Sequence, residues 1–112
     1  MKVFVAGGAG YIGSIVTQQL LDAGHQVTVY DSLIKGHRQA VPVGAKFVLG
    51  DILDRAALDT VLGEGPYDAI IHFAAFIEAG LSMQQPGMFF RNNVAGSISL
   101  IDAAVAHGVK KL

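Results

Sequence analysis

Three glycines at positions 7, 10 and 13, in the run Gly7-Gly8-Ala9-Gly10-Tyr11-Ile12-Gly13, have the spacing a backbone needs to come close to a pyrophosphate. Gly7 suits a tight turn, Gly10 removes the Cβ that would obstruct a ligand, and Gly13 lets a helix pack closely on a strand. The helix that opens there presents unpaired N–H groups, which attract an anion. Asp31 lies about 20 residues further on, where a carboxylate accepts hydrogen bonds from adenosine ribose hydroxyls. The same charge repels a 2′-phosphate, so the pair of features points to NAD rather than NADP, with Lys35 and Arg38 the nearest opposing charges. The bland alternatives are an ordinary glycine turn and a solvated strand-end aspartate.

Asp51-Ile52 and His72-Phe73-Ala74-Ala75 belong to the same candidate site. Each follows or ends an apolar run, at the carboxyl edge where ligands bind in an open parallel sheet. Asp51 could reach an adenine, but after Gly50 and before a helix it reads equally well as a turn or N-cap residue. The alanines would leave room beside a cofactor, or serve close sheet-to-helix packing.

These residues need an α/β frame to hold them. Lys2 to Ala6 reads as a strand. Ile12, Val16 and Leu20 mark one face of a helix that Gly24 ends, and Gln26 to Tyr30 reads as the second strand. Asp31 to Gly44, with Gly36 and Pro42, reads as a loop. Ala45 to Leu49 is the third strand, Asp54 to Leu62 a short helix broken by Gly63 to Pro66, and Asp68 to Ala74 a buried fourth strand. A last, long helix runs through Phe90, Val94, Ile98, Ile101 and Val105 to Gly108, with Pro86 at its approach. Alternating strands and helices predict a doubly wound, Rossmann-like parallel sheet in the order 3-2-1-4. Val109 to Leu112 reads as the start of a fifth strand, so the sheet is expected to be truncated there, as one partial domain over residues 1–112.

Net charge of −1 provides no field for nucleic acid or anionic lipid. Apolar stretches such as Ala69 to Ala75 are far shorter than the ~20 residues of a membrane span, and Met1-Lys2 leads straight into a strand pattern. With no cysteine, disulfides and thiolate chemistry are excluded, and a cytoplasmic setting is expected. His25, His37, His72 and His107 show no metal spacing. No lysine followed by serine or threonine follows the glycines, which argues against a P-loop hydrolase. A methyltransferase turn is a poorer fit than a dinucleotide turn because of the third glycine and Tyr11-Ile12.

Taken together, Gly7 to Ser14, Ala23-Gly24-His25, Tyr30-Asp31-Ser32-Leu33, Gly50-Asp51-Ile52, His72-Phe73-Ala74-Ala75 and Arg91-Asn92-Asn93-Val94-Ala95-Gly96 resemble signatures of one family, in its order. That family is the extended short-chain dehydrogenase/reductases acting on nucleotide sugars, above all the UDP-glucose 4-epimerases. The resemblance spans the chain. It implies that Tyr11 and Ile12 bind the pyrophosphate through backbone, and that Asp31, Ser32, Leu33 and Gly36 hold the adenosine ribose. It further implies that Asp51 and Ile52 flank the adenine, and that Phe73, Ala74, Ala75, Ile77 and Asn92 line the nicotinamide side. In such enzymes NAD takes a hydride from the sugar C4 and returns it to the other face, interconverting UDP-glucose and UDP-galactose. Ala6, Ser32, Ile77 and Leu81 stand where threonine, asparagine, lysine and glutamate are common in the family, and the last two bear on the substrate.

The family's proton-transfer pair, Tyr-x-x-x-Lys, is missing: Tyr11, Tyr30 and Tyr67 are not followed by lysine at that spacing. The residues present are therefore expected to bind NAD without turnover, and to meet a UDP-sugar only together with the family's second half. The other readings are part of a related NAD-dependent dehydratase or reductase, and a non-catalytic dinucleotide-binding module. An unpaired edge at strand four is also expected to favour association into a homodimer.

Overall fold

The computed structural model describes residues 1–33, 38–73 and 95–109. Strands β1 (Lys2–Ala6), β2 (Gln26–Asp31), β3 (Lys46–Leu49) and β4 (Ala69–His72) form one parallel sheet in the order β3-β2-β1-β4, the predicted order. Helices α1 (Tyr11–Asp22), α2 (Arg55–Leu62) and α3 (Gly96–Ala106) accompany it, with a 3₁₀ turn at Arg38–Ala40 inside the expected loop. The chain winds from β1 out to β3, then crosses back to place β4 on the other side of β1. A doubly wound sheet opens its ligand crevice at that reversal.

Alternation along the strands sorts side chains into two cores. Val3, Val5, Val27 and Val29 face the α1 side, joined by Ala9 and Val41 and flanked by Leu20, Leu21, Phe47 and Ile71. Phe4, Ala6, Tyr30 and Ile70 face α2 and α3, packing with Leu58, Leu62, Leu100, Ala103 and Ala104. Each large side chain so buried contributes roughly 1.5–3 kcal/mol. Tyr67 sits edge-on to Phe4 at 5.6 Å and donates its hydroxyl hydrogen bond to Thr28 Oγ1 at 3.0 Å, so its one polar atom is satisfied inside the core.

Two helix faces differ from the expected ones. Ile98, Ile101 and Val105 of α3 are 54%, 44% and 73% exposed, while Gly96, Leu100, Ala103 and Ala104 face inward. Close packing on α2 and Ile52 selects small residues: a Cβ on Gly96 would lie 2.5 Å from Ile52 Cδ1. In α1, Ile12 is exposed and Gly13 and Thr17 are the buried residues, with Val16 and Leu20 half-buried. The turn beneath α1 leaves room only for small side chains. Helix α2 starts one residue later than expected because Asp54 is its N-cap, its side chain accepting from Ala57 N–H at 3.1 Å. Val109 donates to Ala104 C=O and packs on the core; the remaining residues of the expected fifth strand, 110–112, lie outside the described residues. Among the described residues, no helix is long and apolar enough to cross a membrane.

The inward face of α3 generates a direct comparison. Leu100→Ala should cost about 2–5 kcal/mol in urea denaturation, whereas Val105→Ala, despite matching the apolar periodicity, should cost less than about 1 kcal/mol.

Candidate functional site

Strand register brings the candidate residues to one edge. Ala6 is level with Tyr30 on one side and His72 on the other, and Asp31 is level with Leu49. The segments that follow these strands therefore emerge side by side: the glycine turn after β1, Ser32 and Leu33 after the Asp31 that ends β2, Gly50-Asp51 after β3 and Phe73 after β4. Backbone hydrogen bonds extend the ladder past the strand ends, from Gly7 N–H to Tyr30 C=O (2.8 Å), Gly50 N–H to Asp31 C=O (3.1 Å) and Phe73 N–H to Ala6 C=O (2.6 Å).

The turn itself is dictated by close approach. Gly7 has φ +87°, where a side chain is strained. A Cβ on Gly13 would lie 2.4 Å from Gly7 O and 2.9 Å from Gly8 Cα, and one on Gly8 would lie 2.7 Å from Val29 Cγ1. Helix α1 thus rests directly on the turn, and the turn on β2. Gly10 is different. Its φ of −80° and ψ of 175° suit any residue, and a Cβ there would meet only Gly7 O at 3.6 Å, an ordinary contact. The packing of the protein does not require glycine at this position.

Gly10 is also the N-cap of α1, and no side chain caps that helix, in contrast to α2 with its Asp54 cap. The first N–H groups of a helix have no acceptors within it, so the first turn, Tyr11 to Gly13, offers donors and the positive end of the helix dipole to an anion. Tyr11 and Ile12 carry exposed side chains (82% and 54%); what they bring to the edge is backbone.

Asp31 is buried, and both of its oxygens already have partners. Oδ2 accepts from Ala9 N–H at 3.0 Å and Oδ1 from Leu33 N–H at 2.7 Å. The carboxylate therefore ties the glycine turn to the end of β2 and braces Leu33, whose φ is +64°. A carboxylate offers about four lone-pair sites, so acceptor capacity remains for a ribose diol. Ala9 was not singled out from sequence. Its role is a backbone one, and no side chain announces it.

Asp51 is a turn residue rather than the N-cap, which is Asp54: its Oδ1 accepts from Leu53 N–H at 2.9 Å, and its C=O accepts from Asp54 N–H at 2.9 Å. Ile52 is buried in the core on the α2 and α3 side, leaving its backbone as the part that could face a ligand. Ser32 is half-buried beside Asp31. Phe73 packs against the α1-side core. His72 Nε2 lies 2.9 Å from Ser97 Oγ, joining β4 to α3, and burial holds its imidazole below the ordinary range. His107, just before the Gly108 that ends the last helix, is the C-cap of α3 and also reaches Asp59 of α2 at 3.0 Å. Gly36, Ala74, Ala75, Ile77 and Asn92 lie outside the described residues. Among the described residues, no three His, Cys, Asp or Glu side chains cluster as a metal site would need.

A glycine turn feeding an uncapped helix at the carboxyl edge of a 3-2-1-4 parallel sheet defines a Rossmann-type fold. The chain belongs to the NAD dependent epimerase/dehydratase family, whose sequence model matches residues 3–112. It is 47% identical over 112 residues to the UDP-glucose 4-epimerase of Lacticaseibacillus casei, covering all of this chain and 34% of that protein. The UDP-glucose 4-epimerase of Corynebacterium glutamicum is 42% identical, again over the whole chain and 33% of its own length. Among solved structures, the Thermus thermophilus UDP-glucose 4-epimerase complex with NAD superposes with a TM-score of 0.96 at 36% identity, covering 100% of this chain and 36% of that one. The Brucella ovis enzyme in complex with NAD gives 0.93 at 42% identity, covering 97% and 33%. The chain thus spans about a third of the length of these relatives.

The glycines separate packing from ligand binding. Gly13→Ala should lower stability by about 1–3 kcal/mol through overpacking, and Gly10→Ala should change it by less than about 1 kcal/mol, both read from denaturant midpoints.

Proposed function

We propose that this chain binds NAD along the carboxyl edge of its sheet and forms the cofactor-holding part of a nucleotide-sugar epimerase. The observation that carries this reading is Gly10. Packing accounts for the absence of a side chain at Gly8 and Gly13, and backbone conformation accounts for Gly7. Neither accounts for Gly10, which sits at the uncapped N-terminus of α1. A pyrophosphate approaching the N–H groups of Tyr11 and Ile12 supplies the reason for its smallness.

The remaining edge residues fit a dinucleotide around that anchor. Asp31 accepts from the ribose hydroxyls with the lone pairs that Ala9 and Leu33 leave, and its charge disfavours a 2′-phosphate. Ser32, Leu33 and Gly36 continue the ribose side, Asp51 and Ile52 flank the adenine, and Phe73, Ala74, Ala75, Ile77 and Asn92 serve the nicotinamide side. NAD, when bound, supplies the hydride acceptor for oxidation at a sugar carbon. The substrate class proposed is a UDP-hexose, supported by relatives of 42–47% identity that are UDP-glucose 4-epimerases. No tyrosine among the 112 residues is followed by lysine four positions on. What these residues do is bind, orient and exclude water rather than move the hydroxyl proton.

Calorimetric titration tests the reading. Saturable binding of NAD is expected, with NADP at least about tenfold weaker. Gly10→Ala should weaken NAD by about tenfold or more while the circular dichroism spectrum is unchanged. A folded chain that shows no saturable NAD binding, or a Gly10→Ala variant that binds as well as the parent, would contradict it.

A further inference from the structure

We infer that Tyr30 is a positioning residue for base recognition: its hydroxyl holds the Asp51–Ile52 turn from beneath, and through that turn sets the preference for adenine over other bases. The inference rests on the proposed binding of NAD at this edge.

Tyr30 is the last residue of β2 before Asp31, and its side chain is fully buried. Its ring lies 5.6 Å from that of Phe4 and passes under the end of the neighbouring strand. There its hydroxyl donates a 2.8 Å hydrogen bond to the C=O of Asp51. Gly50 makes the passage possible, since a Cβ on it would lie 2.4 Å from Tyr30 Oη and 2.5 Å from Cε1 and Cζ. Burial, with Asp54 and Asp51 adding to it, pushes the phenol up to about 12. The hydroxyl therefore stays protonated, and a donor, at neutral pH.

The turn is fixed at three further points, one of them on the same carbonyl, which also accepts from Asp54 N–H at 2.9 Å. Ile52 is locked into the core against Gly96 of α3, and Asp51 Oδ1 accepts from Leu53 N–H. The Gly96 and Leu53 contacts hold the turn's side chains and the Asp54 N–H closes the turn locally, whereas Tyr30 is the tether that ties the carbonyl to the sheet beneath, and so sets the tilt of the Asp51 carboxylate and the Ile52 amide. A carboxylate accepts from the amino group of adenine and opposes the carbonyl oxygen that hypoxanthine carries in its place. Tilt therefore matters most for discrimination between the two bases.

The test is titration of this chain with NAD and with nicotinamide hypoxanthine dinucleotide. The parent should prefer NAD by about tenfold. Tyr30→Phe keeps the ring in the core and removes only the hydroxyl. It should weaken NAD about fivefold, the worth of one hydrogen bond, leave the hypoxanthine dinucleotide little changed, and so bring the ratio of the two affinities down to about two. Binding of nicotinamide mononucleotide, which has no adenine, should be unchanged. Gly50→Ala, which forces the ring away from the turn, should reduce the same ratio independently.

A ratio unaltered by Tyr30→Phe in a folded chain that binds NAD overturns the inference alone. A parent that binds both dinucleotides equally overturns it as well. A parent that binds neither removes the NAD reading and the inference with it.

Discussion

The close seating of α1 on the glycine turn is the constraint on which the rest of the structure depends. Gly13 comes so near Gly7 and Gly8 that even a methyl group would strike backbone, and Gly8 is pressed as tightly onto Val29 of β2. Packing this close, backbone on backbone at Gly13 and backbone on the Val29 side chain at Gly8, fixes the angle at which α1 leaves the sheet. It directs the N-terminus of that helix along the carboxyl edge, where the ends of all four strands are brought level by their register. An anion site results from geometry before any side chain is considered.

The polar groups at that edge do structural work while keeping capacity for a ligand. Asp31 bonds Ala9 N–H and Leu33 N–H, so the carboxylate that would meet ribose is already oriented when the ligand arrives. The Asp51 turn is likewise held by Tyr30 and Leu53. Preorganisation of this kind lowers the ordering cost of binding. It also means that truncating Asp31 would remove a strut, which is why Gly10, where packing leaves room for a side chain, is the cleaner position at which to separate binding from folding.

Much of this was legible in the residues alone. The glycine spacing, the strand runs and the acidic residue at the end of the second strand specified the sheet order and the edge at which the candidate residues meet, because both follow from strong local preferences and right-handed crossover. The inward face of α3 was not legible. Ile98, Ile101 and Val105 have the stronger periodicity, yet tight packing on Ile52 and α2 favours Gly96, Ala103 and Ala104, and a hydropathy pattern carries no information about interhelical distance. Asp51 could not be settled as turn or cap, since either is a local hydrogen bond of the same residue type; Asp54, three positions on, is the cap. The role of Tyr30 was hidden for another reason. Its partner is a backbone carbonyl 21 residues away, and the only trace in the sequence is a glycine before Asp51, which reads equally well as an ordinary turn.

Binding of pyrophosphate by the first turn of α1, with adenosine at the ends of β2 and β3, would be read out by backbone amide chemical shifts of the ¹⁵N-labelled chain titrated with ADP-ribose and, separately, with adenosine. ADP-ribose should move the amides of Gly10, Tyr11 and Ile12 together with those near Asp31 and Asp51. Adenosine should move only the latter two groups. Identical shift patterns for the two ligands, or largest shifts away from the α1 N-terminus, would contradict the account.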